Sequence, residues 1–372
     1  MNISFVYIAE AYQCYHGAAI AAELAKCPGI RVTSYYVDPD TPRHLERIHQ
    51  AFGAPSPQVA PLVQSVSTRL LRAIKRLGTF KNLVLRDNRE RLNGYDAIVA
   101  VENTVAMARG EGIGRPRLIY KPHGFGDRAY GFVPRIAAFD FVLLAGPKTE
   151  ARMLAHNCIH PGRYALTGSI KLETASRLHS AGGSLFGRAR PTILYNPHFD
   201  PKLSSWDRFA APMIEQFTDH DRFNLIVAPH VKLFRRRFAP PRDQWEKRSS
   251  ANVLVDMGSD RSVDGSYLAA ADIYVGDASS QVYEFLANPR PCIFLNAHGV
   301  DWRDSPNFAH WHLGDVISRP DQLAAALTAA PSRHEHYRPL QEALASATLG
   351  QSAAGAAARA AAAIIGFLTA SA

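Results

Sequence analysis

Ala271-Asp272-Ile273-Tyr274-Val275-Gly276-Asp277-Ala278-Ser279-Ser280-Gln281-Val282-Tyr283-Glu284-Phe285-Leu286 is the stretch on which the reading of this chain turns. It reads as a buried strand over 273–275, a tight Gly-Asp turn, and a helix that opens on two serines. Backbone N–H groups at such a helix start lack intrahelical partners, and the helix dipole adds positive character, which suits a phosphate. The Ser279 and Ser280 hydroxyls can cap the helix or donate to a phosphate oxygen. Glu284 follows about one turn later, with a carboxylate suited to the hydroxyls of a ribose. The plainer reading is a helix cap followed by a solvated glutamate. The rest of the chain decides between the two.

Working outward, strand-like and helix-like segments alternate on both sides of this stretch. Strands are predicted over 3–8, 31–37, 96–101, 117–121 and 140–145, with helices over 18–26, 104–109 and 149–156. A second alternating set has strands over 192–195, 223–228, 252–255, 273–275 and 292–295, with helices over 205–217, 262–270, 280–287 and 320–329. This alternation predicts parallel sheets covered on both faces by helices. Residues 176–191, rich in Gly and Ser, are the expected linker between domains spanning 1–175 and 192–335. The Ala-rich end, over 353–368, is read as a packed helix within a C-terminal segment, 336–372, that crosses back. The fold class expected is α/β, with two Rossmann-like domains facing each other across a cleft and a C-terminal helical tail.

Residues 64–92 interrupt the rhythm. Leu70, Leu71, Ile74 and Leu77 recur at helical spacing among Arg69, Arg72, Lys75 and Arg76. The expectation is a basic amphipathic helix, either covering a domain or lying on an anionic membrane surface.

A chain of 372 residues suits two domains, and its formal charge of +9 favours anionic partners. Cys14, Cys27, Cys158 and Cys292 are scattered without a C-x-x-C pair, which argues against a zinc site or a disulfide framework and for a reducing compartment. The first residues lack the basic start of a signal peptide, and no apolar run is long enough to span a membrane. A cytoplasmic protein is expected, with peripheral contact on the inner face of a membrane as a candidate addition. No metal and no cofactor are expected. The absence of G-x-G-x-x-G after the first strand, of a P-loop and of G-x-S-x-G argues against classical NAD binding, P-loop NTPases and α/β-hydrolases.

Candidate site residues fall just after predicted strands. Lys121-Pro122-His123-Gly124 follows one, and His123 in that glycine-containing loop suits a general base. Gly124 permits close backbone approach to a ligand. His198 follows the first strand of the second half and His230 the second. Near the N-terminus, Tyr15-His16-Gly17 leads into the first helix. Asp38-Pro39-Asp40 is read as turn chemistry rather than a metal site.

Taken in order, these stretches resemble the CDP-glycerol glycerophosphotransferase family, the teichoic-acid polymerases and primases of GT-B architecture. His123-Gly124 resembles the family's His-Gly-Thr loop, and Leu166-Thr167-Gly168-Ser169-Ile170-Lys171-Leu172-Glu173 its Thr-Gly-x-Pro-Arg-x-Asp segment. Ile193 to Asp200 is similar to its Leu-Tyr-x-Pro-Thr-x-Arg segment, and Pro229-His230 to its histidine loop. Asp277-Ala278-Ser279-Ser280 with Glu284 resembles its Asp-Tyr-Ser-Ser turn and following helix.

The resemblance implies a metal-independent transferase with a nucleotide-activated donor and a glycan or lipid-linked acceptor, and no nucleic-acid partner. The donor diphosphate and nucleotide would be held by Asp277, Ser279, Ser280, Gln281, His230 and Glu284. His123 would take the proton of the acceptor hydroxyl. His16, Gly17, Gly124, Lys171 and His198 are candidate substrate contacts. Lys171 stands where the family carries Arg, and Ala278 where it carries Tyr, so a glycosyl or another polyol-phosphate group remains open as the cargo. Two alternatives stand beside this: a nucleotide-sugar 2-epimerase, and a non-catalytic basic protein that binds membrane or nucleic acid.

Overall fold

A computed structural model describes residues 1–73, 80–124, 131–179, 185–218, 222–234, 241–350 and 352–370. The chain divides into two compact units. The first comprises 1–124, 132–178 and 347–372, and the second 125–131 and 179–346.

The first unit holds β1 (Asn2–Tyr7), β2 (Arg31–Tyr36), β3 (Gln58–Pro61), β4 (Ala97–Ala100), β5 (Arg117–Tyr120), β6 (Phe141–Leu144) and β7 (Tyr164–Leu166). The second holds β8 (Thr192–Asn196), β9 (Asn224–Val227), β10 (Val253–Val255), β11 (Ile273–Gly276), β12 (Cys292–Leu295) and β13 (Asp315–Ile317). The helices are α1 (Ala18–Ala25), α2 (Thr41–Ala51), α3 (Val66–Ala73), α4 (Phe80–Asp87), α5 (Arg89–Leu92), α6 (Pro147–Ala155), α7 (Ile170–Leu178), α8 (Trp206–Phe217), α9 (Arg242–Glu246), α10 (Ser266–Ala270), α11 (Gln281–Phe285), α12 (Leu323–Leu349) and α13 (Ala356–Ala370).

Both sheets are parallel. Their orders are β3-β2-β1-β4-β5-β6-β7 and β10-β9-β8-β11-β12-β13. Each order reverses direction once, between β1 and β4 and between β8 and β11. At such a reversal the connections leave the carboxyl edge to opposite sides, and the strand-end loops there diverge and leave room for a ligand. Register aligns the ends at each reversal: Val6 pairs with Ala100 and Ala100 with Tyr120, while Gly276 pairs with Asn196.

Alternation along the strands builds the cores. Ile193, Tyr195, Leu225, Val227, Ile273, Val275, Ile293 and Leu295 present one face to Trp206, Phe209, Met213 and Ile214 of α8 and to Leu323 and Leu327 of α12. In the first unit, Val6, Ile8, Ile98, Ala100, Leu118, Val142 and Leu144 pack with Val84, Leu85 and Leu92. α1 is buried through Ala18, Ala19, Ile20, Ala21, Ala22 and Leu24, and packs on α13, whose Ala356, Ala357, Ala360 and Ala361 are also buried. Alanine faces let two helix backbones approach closely, which explains the composition of the C-terminal tail.

Several expectations need correction. Within 64–92 the described residues form α3, which carries Leu70 and Leu71, and then α4 and α5; Leu70 is 62% exposed. Ile74, Leu77, Lys75 and Arg76 lie outside the described residues. The expected linker overlaps the end of α7, which continues to Leu178. α12 continues through Pro331 and Pro339, and the second unit runs on to Ser346 rather than ending near residue 335. The helix expected over 104–109 is a 3-10 segment, Asn103–Glu111. Strands β3, β7 and β13 escaped prediction because they are short. β3 and β7 are also half-exposed and lack the apolar run of a central strand.

No helix among the described residues is long and apolar enough to cross a membrane. Asp38 performs turn chemistry as expected, accepting from the N–H of Asp40 and, across the loop, of Ala11, each at 3.1 Å. Among the described residues, no group of three or more His, Cys, Asp or Glu is arranged to hold a metal.

Candidate functional site

In the second unit the β11–α11 turn is held from several sides. The Asp277 carboxylate is fully buried and accepts from the backbone N–H of His198 (2.8 Å), Ser205 (2.7 Å) and Ala278 (2.7 Å), and from the Ser205 hydroxyl (2.9 Å). Its backbone carbonyl accepts from His310 Nε2 (3.0 Å) and Trp311 Nε1 (2.9 Å). Burial pushes the Asp277 carboxyl up, while the Ser205, His198 and Ala278 donors pull it back. Asp277 thus ties the ends of β8 and β11 to the start of α8. Its oxygens are engaged by the protein itself.

The serines differ from expectation. Ser280 is the N-cap residue of α11 but makes no side-chain capping bond, whereas Ser279 Oγ accepts from Gln281 N–H at 3.3 Å. Ser279 and Glu284 are buried; Ser280 and Gln281 are half-buried. Gly276 is required by packing, because a Cβ there would lie 2.7 Å from the Tyr274 ring.

Two imidazoles border this turn. His198 Nδ1 accepts from Asp200 N–H at 3.0 Å, and His230 Nδ1 accepts from Lys232 N–H at 3.2 Å. A backbone N–H on Nδ1 places each neutral ring's proton on Nε2, so both rings are oriented to present an N–H donor. Their centroids are 5.9 Å apart, and Phe199 packs on both at 4.4 and 4.7 Å. The second unit therefore gathers Asp277, Ser279, Ser280, Gln281, Glu284, His198 and His230 around the carboxyl ends of β8, β9 and β11.

The first unit gathers a separate group at its own strand reversal. His123 Nδ1 lies 2.6 Å from the Val101 carbonyl and donates to it, which leaves Nε2 as the basic nitrogen. That Nε2 stands 3.7 Å from Glu102 Oε1. Glu102 is buried, accepts from Gln13 Nε2, and pairs with Lys81 at 3.0 Å. Burial opposes its ionised form, but His123, Lys81 and Gln13 outweigh that and hold Glu102 below the usual carboxylate range. An imidazole with Nδ1 held by a backbone carbonyl and Nε2 near a carboxylate is oriented as a general base is.

His16 stands 6.2 Å from His123, centroid to centroid, and is 5% exposed. Burial lowers its pKa well below the ordinary value, with Lys171, His123 and Lys121 adding to the effect. Gly17 sits tightly beneath, since a Cβ there would meet Val101 Cγ1 at 3.1 Å and the Tyr7 hydroxyl at 3.3 Å. Gly124, just after His123, takes a left-handed backbone with φ of 89°. Lys171 lies in the first turn of α7 and is buried.

Sequence reasoning missed Glu102, Lys121, His310 and Trp311. Glu102 had a signal, since it follows the strand over 96–101 directly. His310 and Trp311 had none, because they reach Asp277 only through tertiary packing.

No protein-family model matches the chain, and a sequence search of curated proteins finds no match. Structural similarity is broad instead. The UDP-GlcNAc 2-epimerase of Neisseria meningitidis, solved bound to UDP-GlcNAc, superposes with a TM-score of 0.66 at 10% identity, over 98% of this chain and 100% of that one. The S. aureus protein MnaA, solved with UDP, gives 0.64 at 12% identity, over 99% and 97%. The wall teichoic acid polymerase TagF gives 0.65 at 11% identity, over 100% and 89%. The fold is GT-B-like. At these identities the similarity establishes architecture alone.

Proposed function

We propose that the chain is a GT-B transferase that moves a glycosyl or polyol-phosphate group from a nucleotide-diphosphate donor to a hydroxyl. The observation that carries this reading is the His123–Glu102 pair at the strand reversal of the first unit. A ring whose Nδ1 is tied to Val101 O, with Nε2 beside an ionised carboxylate, is equipped to take a proton from a hydroxyl nucleophile. The complementary donor role falls to the second unit. His198 and His230 present Nε2–H groups and Ser280 its hydroxyl, all suited to the oxygens of a diphosphate and to the charge that develops as the nucleotide leaves. Glu284 is proposed to meet the ribose. TagF, solved with CDPG, the S. aureus protein MnaA, solved with UDP, and the Neisseria meningitidis epimerase, solved with UDP-GlcNAc, supply precedent for nucleotide ligands on this architecture.

Thermal-shift screening against CDP, UDP, GDP and CMP tests the reading directly. A nucleotide present at one hundred times its Kd stabilises by about 2.7 kcal/mol. Stabilisation by a diphosphate, lost in His230→Ala, is the expected result; no response to any of the four sinks the donor site.

A second reading, nucleotide-sugar epimerase, is favoured by one observation: Glu102 is a buried carboxylate beside an imidazole, the kind of acid–base pair that epimerisation uses. Incubating UDP-sugars without acceptor separates the two. A new epimer supports the second reading, and hydrolysis or no change counts against it.

A further inference from the structure

The segment after residue 64 interrupts the alternation of strands and helices, and the proposed reaction gives it no part. Its two ends are tied together. Asn88 Oδ1 accepts from the Val63 N–H at 3.0 Å, and Asn88 Nδ2 donates to the Val63 carbonyl at 2.9 Å. Asp87 Oδ2 accepts from the Ser65 N–H at 2.9 Å and from the Thr68 hydroxyl at 2.7 Å. From that clamp α4 lies along the 3-10 segment that follows Glu102. Arg86 Nε donates to Glu111 at 2.8 Å, and Asn82 Nδ2 to Met107 Sδ at 3.5 Å. Lys81, near the start of α4, meets Glu102 itself, with Nζ 3.0 Å from Oε2. Both side chains are largely withdrawn from water, at 19% and 11% exposed, so solvent screens this pair less than a surface one.

Three groups therefore compete for Glu102. Lys81 holds Oε2 and Gln13 Nε2 donates to Oε1, while His123 Nε2 stands 3.7 Å from Oε1, beyond a hydrogen bond. The His123 ring already donates through Nδ1 to the Val101 carbonyl. A further bond from Nε2 to Glu102 would need a second proton on the ring, and a ring locked in that form has no lone pair for a hydroxyl proton. We infer that Lys81 is a positioning residue: it anchors Glu102 through Oε2, and so keeps the carboxylate off His123 Nε2. The segment after residue 64 thus serves the site from outside the alternating fold. That the free Nε2 acts as a base rests on the transferase reading; the anchoring itself does not. Burial opposes the ionised Glu102, but His123, Lys81 and Gln13 outweigh it, so a charged carboxylate is there to close on His123 once Lys81 is removed.

The test follows labelling of His123 by diethyl pyrocarbonate in the full chain at pH 7, read by peptide mass spectrometry with the exposed His160 as internal reference. The reagent attacks an unprotonated ring nitrogen, and the His123 side chain is 21% exposed. Lys81→Met is expected to slow labelling of His123 about fivefold or more, as the released carboxylate closes on Nε2 and favours the protonated ring. Lys81→Arg keeps the cation and is expected to label at the wild-type rate. In a Glu102→Gln background, Lys81→Met is expected to make no difference, because no carboxylate is left to release. A merely structural role for Lys81 would alter both backgrounds alike. Unchanged or faster labelling in Lys81→Met overturns the inference, and so does equal slowing in the Glu102→Gln background. Should Lys81→Met fail to fold, Lys81→Gln is judged by the same criteria. The two readings fail separately, since labelling needs no substrate. A nucleotide screen without response removes the transferase and leaves the anchoring, whereas unchanged labelling removes the anchoring and leaves the transferase.

Discussion

The two strand-reversal loops of this protein spend their polar groups differently. In the second unit the Asp277 turn is closed on itself. Its carboxylate takes four donors and its carbonyl two more, all from the protein. In the first unit the loops after β1, β4 and β5 carry His16, Glu102, Lys121 and His123, all half-buried or buried. The first arrangement builds a rigid turn beside the serines and histidines of that unit. The second sets titratable groups close together, with His123 Nε2 3.7 Å from Glu102 Oε1. A charged residue in a strand-end turn is thus no guide by itself to where a ligand binds, because its oxygens can already be engaged within the protein.

This contrast can be broken experimentally. Asp277→Ala leaves the N–H groups of His198 and Ser205 buried without an acceptor, and each orphaned donor costs about 1–3 kcal/mol. We expect the largest stability loss of any single change here, about 3 kcal/mol or more, read by urea unfolding. His123→Ala is expected to cost turnover about a hundredfold or more with little loss of stability, since the side chain is 21% exposed. Retained turnover with the correct donor would remove the base assignment.

Gly276→Ala comes next. Its new Cβ displaces the buried Tyr274 ring, an overpacking cost of about 1–3 kcal/mol. Glu102→Gln keeps a carbonyl for Gln13 but removes the charge beside His123 Nε2. A drop in turnover of about tenfold, with donor affinity unchanged, is expected if it acts through His123.

The smallest effect is a pH dependence. Burial, and after it Lys171, His123 and Lys121, hold His16 well below the ordinary histidine value, so the folded state resists protonation that the unfolded chain accepts near pH ~6.5. Stability therefore falls as pH drops below about 6.5, and His16→Gln should flatten that part of the curve.

How much of this was legible in advance varies by region. The alternation of short apolar runs with helical segments foretold an α/β fold in two halves, because buried parallel strands leave an unmistakable apolar signature, as in Thr192–Asn196 and Cys292–Leu295. The basic segment after residue 64 is helical where described, as its leucine spacing foretold, in α3 and α4. At the sites, the sequence offered His123, His198, His230 and the Ser279-Ser280 turn because each follows a strand directly.

By itself, then, the sequence determined the two alternating halves, the positions of the strand-end histidines, and the apolar pattern that buries each sheet. Those depend on neighbours in the chain and on periodicity. Only the tertiary structure decided what each polar group holds. It spent Asp277 on Ser205 and His198, drew His310 and Trp311 onto its carbonyl, set Glu102 against His123, and set His16 against His123. The physical reason is the sheet order. Placing β4 beside β1, and β11 beside β8, brings loops far apart in the chain to one edge, and no local pattern encodes which donor will meet which acceptor there.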